Sequence, residues 1–130
     1  MAKYLVTGGA GFIGSHLVKG LLESGHTIRL IDTQSGSDFV HAVDEVECVQ
    51  GDINDVATIE SVMQDVNGCY HLASRKPTAG DIDEAMLIHL NNLSGTVNVL
   101  QAAGKFAVPV VYASSSDVYG DNADWSLREQ

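Results

Sequence analysis

The sequence predicts a three-layer α/β domain on a doubly wound parallel sheet of about five strands, in the order 3-2-1-4-5. Three observations carry that expectation. Strand-like apolar runs alternate with helical periods along nearly the whole chain, and such alternation implies parallel strands joined by right-handed crossovers. The first run leads straight into Thr7-Gly8-Gly9-Ala10-Gly11-Phe12-Ile13-Gly14, and a helical pattern follows at once. An acid, Asp32, then closes the second run.

Taken in order, Lys3-Tyr4-Leu5-Val6 is a short apolar strand. Residues 15–22 read as a helix, with Ile13, Leu17, Leu21 and Leu22 on one face and Gly25 as its C-cap. Residues 27–31 are the second strand. Residues 33–44 begin polar and Gly/Ser-rich and read as a loop with a short helix. Residues 46–49 are the third strand. Residues 55–65 read as a helix capped by Asn54 or Asp55. Residues 69–73 are the fourth strand. Residues 81–105 read as one long helix, with Ile82, Met86, Leu90, Leu93, Val97 and Leu100 along a single stripe. Residues 108–113 are the fifth strand, with Pro109 near its start. A ligand of such a sheet is expected at the switch between strands one and four.

The chain has 130 residues, 45% of them hydrophobic. That is enough for one domain and one core, and too little for a cofactor domain plus a substrate domain. A formal net charge of -10 argues against nucleic acid and against anionic membranes, which reward Lys and Arg. No apolar stretch approaches the length of a membrane span. Cys48 and Cys69 lie in apolar runs and read as buried, reduced thiols. With no secretory leader to be seen, the expected location is cytoplasmic. The five histidines are scattered, without H-E-x-x-H or C-x-x-C, so no metal site is expected.

The glycine turn carries the chemistry. A strand, a glycine-rich turn and a helix N-terminus make an anion site. Free N–H groups and the positive end of the helix dipole converge, and glycine lets a pyrophosphate come close. The spacing Gly8-x-x-Gly11-x-x-Gly14 differs by one residue from G-x-G-x-x-G. A P-loop is excluded because Ser15-His16 follows where Lys-Ser/Thr is required. Asp32 lies 18 residues past Gly14, near the ~20-residue spacing of a ribose-binding acid. Its carboxylate accepts from ribose hydroxyls and repels a 2′-phosphate, and Thr33 rather than an arginine follows, so NAD is expected over NADP.

With these residues in place the chain resembles the extended short-chain dehydrogenase/reductase family, the NAD-dependent nucleotide-sugar epimerases and dehydratases of Rossmann type. The likeness runs from Lys3 to about Gly120. Thr7 to Gly14 looks like the family's phosphate loop, with Gly8, Gly11, Phe12, Ile13 and Gly14 as cofactor contacts. Gly51-Asp52-Ile53 looks like its adenine segment, where the acid Asp52 faces the adenine amino group and Ile53 packs on the ring. His71-Leu72-Ala73-Ser74 looks like the strand end that passes the nicotinamide ribose, and Lys76 falls where the family often has a ribose-contacting lysine. His71 itself reads as core. Asn92-Leu93-Ser94-Gly95-Thr96 resembles the helix segment whose Asn, here Asn92, supports a catalytic water network. Tyr112-Ala113-Ser114-Ser115-Ser116-Asp117-Val118-Tyr119-Gly120 resembles the segment carrying the catalytic hydroxyl. Counting back from Val118, Ser115 matches that position and Ser114 is the runner-up.

The chain departs from the family in one respect. The chemistry of that family needs a Tyr-x-x-x-Lys pair, the tyrosine as acid/base and the lysine lowering its pKa. The residues four after Tyr4, Tyr70, Tyr112 and Tyr119 are Gly8, Ser74, Ser116 and Ala123. Residues 1–120 are therefore expected to form an NAD-binding domain, and 121–130 the loop that in the family leads to that pair. The resemblance implies the cofactor half of such an enzyme, without turnover alone. Two alternatives stand beside it: a site completed by another chain or segment, which would bring in a nucleotide sugar, or an interaction module that keeps the fold without the nucleotide. A homodimer through the 81–105 helix is expected, because its apolar stripe lacks a neighbour.

Overall fold

The computed structural model describes residues 1–34, 46–76 and 82–121. Five parallel strands form one sheet in the order β3-β2-β1-β4-β5. They are β1 (Lys3–Thr7), β2 (Thr27–Asp32), β3 (Val46–Gln50), β4 (Gly68–His71) and β5 (Val110–Tyr112). β1 is central: Leu5 pairs with Arg29 of β2 on one side and with Cys69 of β4 on the other. The chain leaves β1 in one direction toward β2 and returns past it to β4, so the switch lies at the C-terminal ends of β1 and β4.

Alternate side chains on the strands feed two cores, one on each sheet face. Val6, Ile28 and Leu30 pack with Val18 of α1 (Phe12–Glu23). Leu5, Ile31 and Cys69 pack on the other face with Ile59 and Met63 of α2 (Val56–Met63) and Val99 of the last long helix. Burial pushes the Cys69 thiol up to about 12, so it sits in the core as a protonated, unreactive group. Cys48 and Cys69 are not joined in a disulfide.

Several boundaries differ from the expectation for physical reasons. The first helix begins at Phe12, directly after Gly11, rather than at residue 15. The second ends at Met63, before Asp65 takes a left-handed φ of 58°. β4 ends at His71: Leu72 N still donates to Thr7 O of β1 at 3.1 Å, but Ala73 N leaves the ladder for the Thr7 Oγ1 side chain at 3.2 Å. β5 starts only at Val110, since Pro109 has no N–H to donate, and it ends at Tyr112, with Ala113 N still donating to His71 O at 3.2 Å. The predicted long helix is present as one continuous helical rod, made of α3 (Ile82–His89), a π-helical turn (Leu90–Gly95) and α4 (Thr96–Phe106). Met86, Leu90, Leu93, Val97 and Leu100 remain exposed along this composite rod. The expected loop and short helix at 33–44 and the tail at 121–130 fall almost wholly outside the described residues.

Candidate functional site

The glycine turn sits at the C-terminal end of β1. Gly8 has φ +70, and a Cβ there would lie 2.7 Å from Ala73 N. A side chain at Gly9 would run into Leu30, and one at Gly14 into Gly8 O. These three glycines are demanded by the protein itself, because backbone and core close on them. Gly11 is different. It is exposed, and only Gly8 O comes within 4 Å of a Cβ built there, at 3.3 Å. Its openness leaves the groove side of the turn bare.

The helix that follows has an open N-terminus. Gly11 provides no side-chain cap to α1, and no acidic residue lies in its first turn. α2 shows the contrast: Asp55 accepts from Ala57 N at 3.1 Å and from Thr58 Oγ1 at 2.7 Å. Those bonds hold the exposed Asp55 carboxyl below its ordinary value. α2 thus carries its own anion, whereas α1 presents its positive end uncapped at the switch of the sheet. Phe12 and Ile13 flank that end, 82% and 67% exposed. The residues present would fit an anionic group such as a pyrophosphate.

Asp32 closes the turn from β2. Its Oδ2 accepts from Ala10 N at 3.1 Å and its Oδ1 from Gln34 N at 3.0 Å. The carboxylate therefore fixes the glycine turn as well as standing beside it. Beyond the neighbouring end of β3, Asp52 Oδ1 accepts from Asn54 N at 2.8 Å. Ile53 is only 4% exposed, its side chain inserted in the core, so its surface toward a ligand is backbone rather than side chain.

A buried chain of hydrogen bonds joins the opposite wall. Thr7 Oγ1 lies 2.6 Å from His71 Nδ1, and His71 Nε2 lies 2.8 Å from Thr96 Oγ1. Thr96 donates its own proton to Asn92 O at 2.9 Å, so it accepts from His71 Nε2–H. Nδ1 is then the acceptor for the Thr7 hydroxyl, which in turn accepts from Ala73 N. This direction assigns the imidazole as neutral with its proton on Nε2. Burial pushes its pKa below the ordinary 6.5, in the same sense. His71 is thus core, as expected, and a structural link as well.

Asn92 turns inward from the π turn. Its Oδ1 accepts from Arg75 N at 2.7 Å and its Nδ2 donates to Arg75 O at 2.8 Å. This two-point clamp holds the strand-end segment that carries Leu72, Ala73, Ser74 and Lys76. Leu72 and Ala73 are half-buried, and Ser74 and Lys76 are exposed. Ser115 is exposed beyond β5, where its hydroxyl accepts from Asp117 N at 3.2 Å and caps the 3-10 turn Ser116–Tyr119. Among the described residues no cluster of three His, Cys, Asp or Glu is placed to hold a metal ion.

Sequence reasoning did not single out Thr7, Thr96 or Asn98, the polar residues that fasten these loops. The available signal was a lone polar side chain closing an apolar strand or interrupting an apolar helical period.

The family model described as NAD dependent epimerase/dehydratase matches residues 4–130. A UDP-glucose 4-epimerase of Neisseria meningitidis serogroup B is 34% identical over 131 residues, covering 93% of this chain and 39% of that protein. A UDP-N-acetyl-alpha-D-glucosaminuronate decarboxylase of Bacillus cytotoxicus is 33% identical, covering 91% of this chain and 38% of its own length. Among solved structures, the UDP-glucose 4-epimerase of Bifidobacterium longum in complex with NAD+ and UDP superposes with a TM-score of 0.86 at 28% identity. That superposition covers 98% of this chain and 41% of the other. The chain therefore spans about two fifths of the length of these relatives.

Proposed function

The chain belongs to the NAD dependent epimerase/dehydratase family, and from that premise we propose that these residues form its NAD-binding domain. The observation that carries the proposal is the joint between Asp32 and the glycine turn: a carboxylate on β2 bonded to Ala10 N, beside an uncapped helix end. An anion-binding turn and a hydroxyl-binding acid on adjacent strand ends match a dinucleotide. Gly8, Gly11, Phe12, Ile13 and Gly14 would hold the pyrophosphate, Asp32 the adenosine ribose, and Asp52 and Ile53 the adenine. Leu72, Ala73, Ser74, Lys76 and Asn92 would line the nicotinamide-ribose side.

When bound, NAD supplies a reversible hydride acceptor. The chain's own part is to bind and orient it. Ser115 stands in for the reaction-site hydroxyl, but no Tyr-x-x-x-Lys occurs in these 130 residues, so the domain binds without turnover alone. The relatives include an epimerase and a decarboxylase, so the sugar and its fate lie outside this half. A complete form would act on a nucleotide sugar, as an isomerase or a dehydratase. The exposed stripe of α3, the π turn and α4 supports a homodimer, and two cysteines set in the sheet strands fit a reducing, cytoplasmic setting.

Isothermal titration tests the reading directly. NAD should bind, NADP at least roughly tenfold more weakly, given the Asp32 carboxylate, and a UDP-sugar without measurable heat. Tighter binding of NADP, or no binding of either dinucleotide, would sink it.

A further inference from the structure

Asn98 lies on α4, half-buried, and takes no part in the sites assigned above. Its Nδ2 donates to Ile53 O at 3.1 Å and reaches Asn54 O at 3.4 Å, across 45 residues of chain. Residues 52–54 belong to no strand or helix. Their other bonds are local: Asp55 N to Asp52 O at 3.0 Å, and Asn54 N to Asp52 Oδ1 at 2.8 Å. Gly51 N donates to Asp32 O at 2.9 Å and ties the entry of the turn to β2. Asn98 adds the anchor of its middle, from the Ile53 and Asn54 carbonyls to the helix.

Gly95 completes it. It lies three residues earlier, on the same helix face, and a Cβ there would meet the Ile53 side chain at 2.5 Å. Ile53 is thus gripped twice, by its side chain against bare helix backbone and by its carbonyl on an amide donor. The same rod holds the opposite groove wall through separate residues, Asn92 on Arg75 and Thr96 on His71. The two sets of contacts interleave along the rod but share no residue.

We propose that Asn98 is a positioning residue for adenine recognition, holding the Asp52 carboxylate in register with the groove through the Ile53 and Asn54 carbonyls. The proposal rests on the NAD reading above and on adenine facing Asp52. A displaced Asp52 would lose its selectivity for an exocyclic amino group before the fold suffers. Both dinucleotides keep their pyrophosphate contacts, so a selectivity ratio reports the register and not general weakening.

The test compares NAD with nicotinamide hypoxanthine dinucleotide, which has a carbonyl in place of that amino group. Each is titrated into wild type, Asn98→Asp and Asn92→Ala. Asn98→Asp has the same shape but sets a carboxylate against two carbonyls. Wild type should prefer NAD by roughly tenfold, the scale of one hydrogen bond to a charged group. In Asn98→Asp the ratio should fall close to one, while Asn92→Ala weakens both ligands and keeps the ratio. Hydrogen exchange of the unliganded protein should quicken at residues 52–55 in Asn98→Asp and stay unchanged at 72–75. If Asn98→Asp does not fold, Asn98→Ser, which keeps a shorter donor, should give an intermediate ratio and intermediate exchange. An unchanged ratio, or unchanged exchange at 52–55, overturns the positioning role even where NAD binds normally. A wild type that binds both dinucleotides equally overturns the adenine placement beneath it, and one that binds neither overturns the NAD reading.

Discussion

At Asp32 both carboxylate oxygens already bond to backbone amides, Ala10 N on one and Gln34 N on the other. Each oxygen has a second lone pair, so the same group can brace the turn and accept a ligand hydroxyl. Asp32→Ala therefore removes two effects at once, and NAD affinity should fall by more than roughly tenfold, the scale of a single bond to a charged group. The glycines separate the two effects. At Gly14 a methyl group would strike Gly8 O, and at Gly11 it would meet that same atom at an adjustable 3.3 Å. Gly14→Ala should therefore cost folding stability, about 1–3 kcal/mol by the usual scale of overpacking. Gly11→Val should keep a folded circular-dichroism spectrum and lose NAD binding, because its side chain fills the groove. Denaturant midpoints and titration of both variants check the pair. Equal loss of stability in the two would show that Gly11 too is held by the protein and not by the ligand.

At the scale of elements, the buried line Thr7–His71–Thr96 ties the ends of β1 and β4 to the π turn. It is full as it stands: a proton added at Nδ1 would compete with the Thr7 hydroxyl on a 2.6 Å bond. The folded pKa of His71 is depressed below 6.5, so below that pH the unfolded chain binds more protons than the folded one. Stability is fully present above 6.5 and falls as pH drops toward the folded pKa. Urea unfolding at about pH 7 and about pH 5 should show this loss in wild type and a smaller one in His71→Gln, which cannot take up the proton. An identical loss in both would assign the acid sensitivity to other groups. This network also marks how far the sequence could be read. Strand order, both β1 partners and the Asp55 cap were legible, because apolar period and cap chemistry are local. The π winding inside the long helix was not. Its stripe from Ile82 to Leu100 keeps a helical period straight through the π turn, and the bulge follows from distant partners. Asn92 is drawn to the Arg75 backbone, and Gly95 admits Ile53. Gly11 and Asp32 were legible as a candidate site because the glycine spacing and the acid that closes β2 are read along the chain, although the Asp32–Ala10 bond itself spans 22 residues. Asn98 was not, since its partner carbonyls are 45 and 44 residues away.

At the scale of the whole molecule, one rod faces two ways. Its inner side grips both walls of the groove, and its outer side exposes Met86, Leu90, Leu93, Val97 and Leu100. Full burial of such a side chain contributes roughly 1.5–3 kcal/mol. Leu93 is 54% and Val97 42% exposed, so each has about half of that left to gain. Counted over both copies of a twofold interface, the gross gain is on the order of 10 kcal/mol. Association itself costs about 4–15 kcal/mol in lost freedom. The two nearly cancel, which predicts a concentration-dependent dimer rather than a permanent one. Charge tips the balance further. Each copy carries a formal net charge of -10, so approach is repulsive at low ionic strength. Salt screens that repulsion and leaves apolar burial intact. Light scattering at micromolar concentration should give about twice the chain mass, rising toward that value as salt goes from ~0.01 to ~0.15 M. Leu90→Asp, which sets a charge at the middle of the stripe, should return the monomer at every salt concentration. A dimer that dissociates on adding salt would mean that ion pairs, not this face, hold the copies together. A monomer throughout, with Leu90→Asp unchanged, would mean that some other part of the chain covers the stripe.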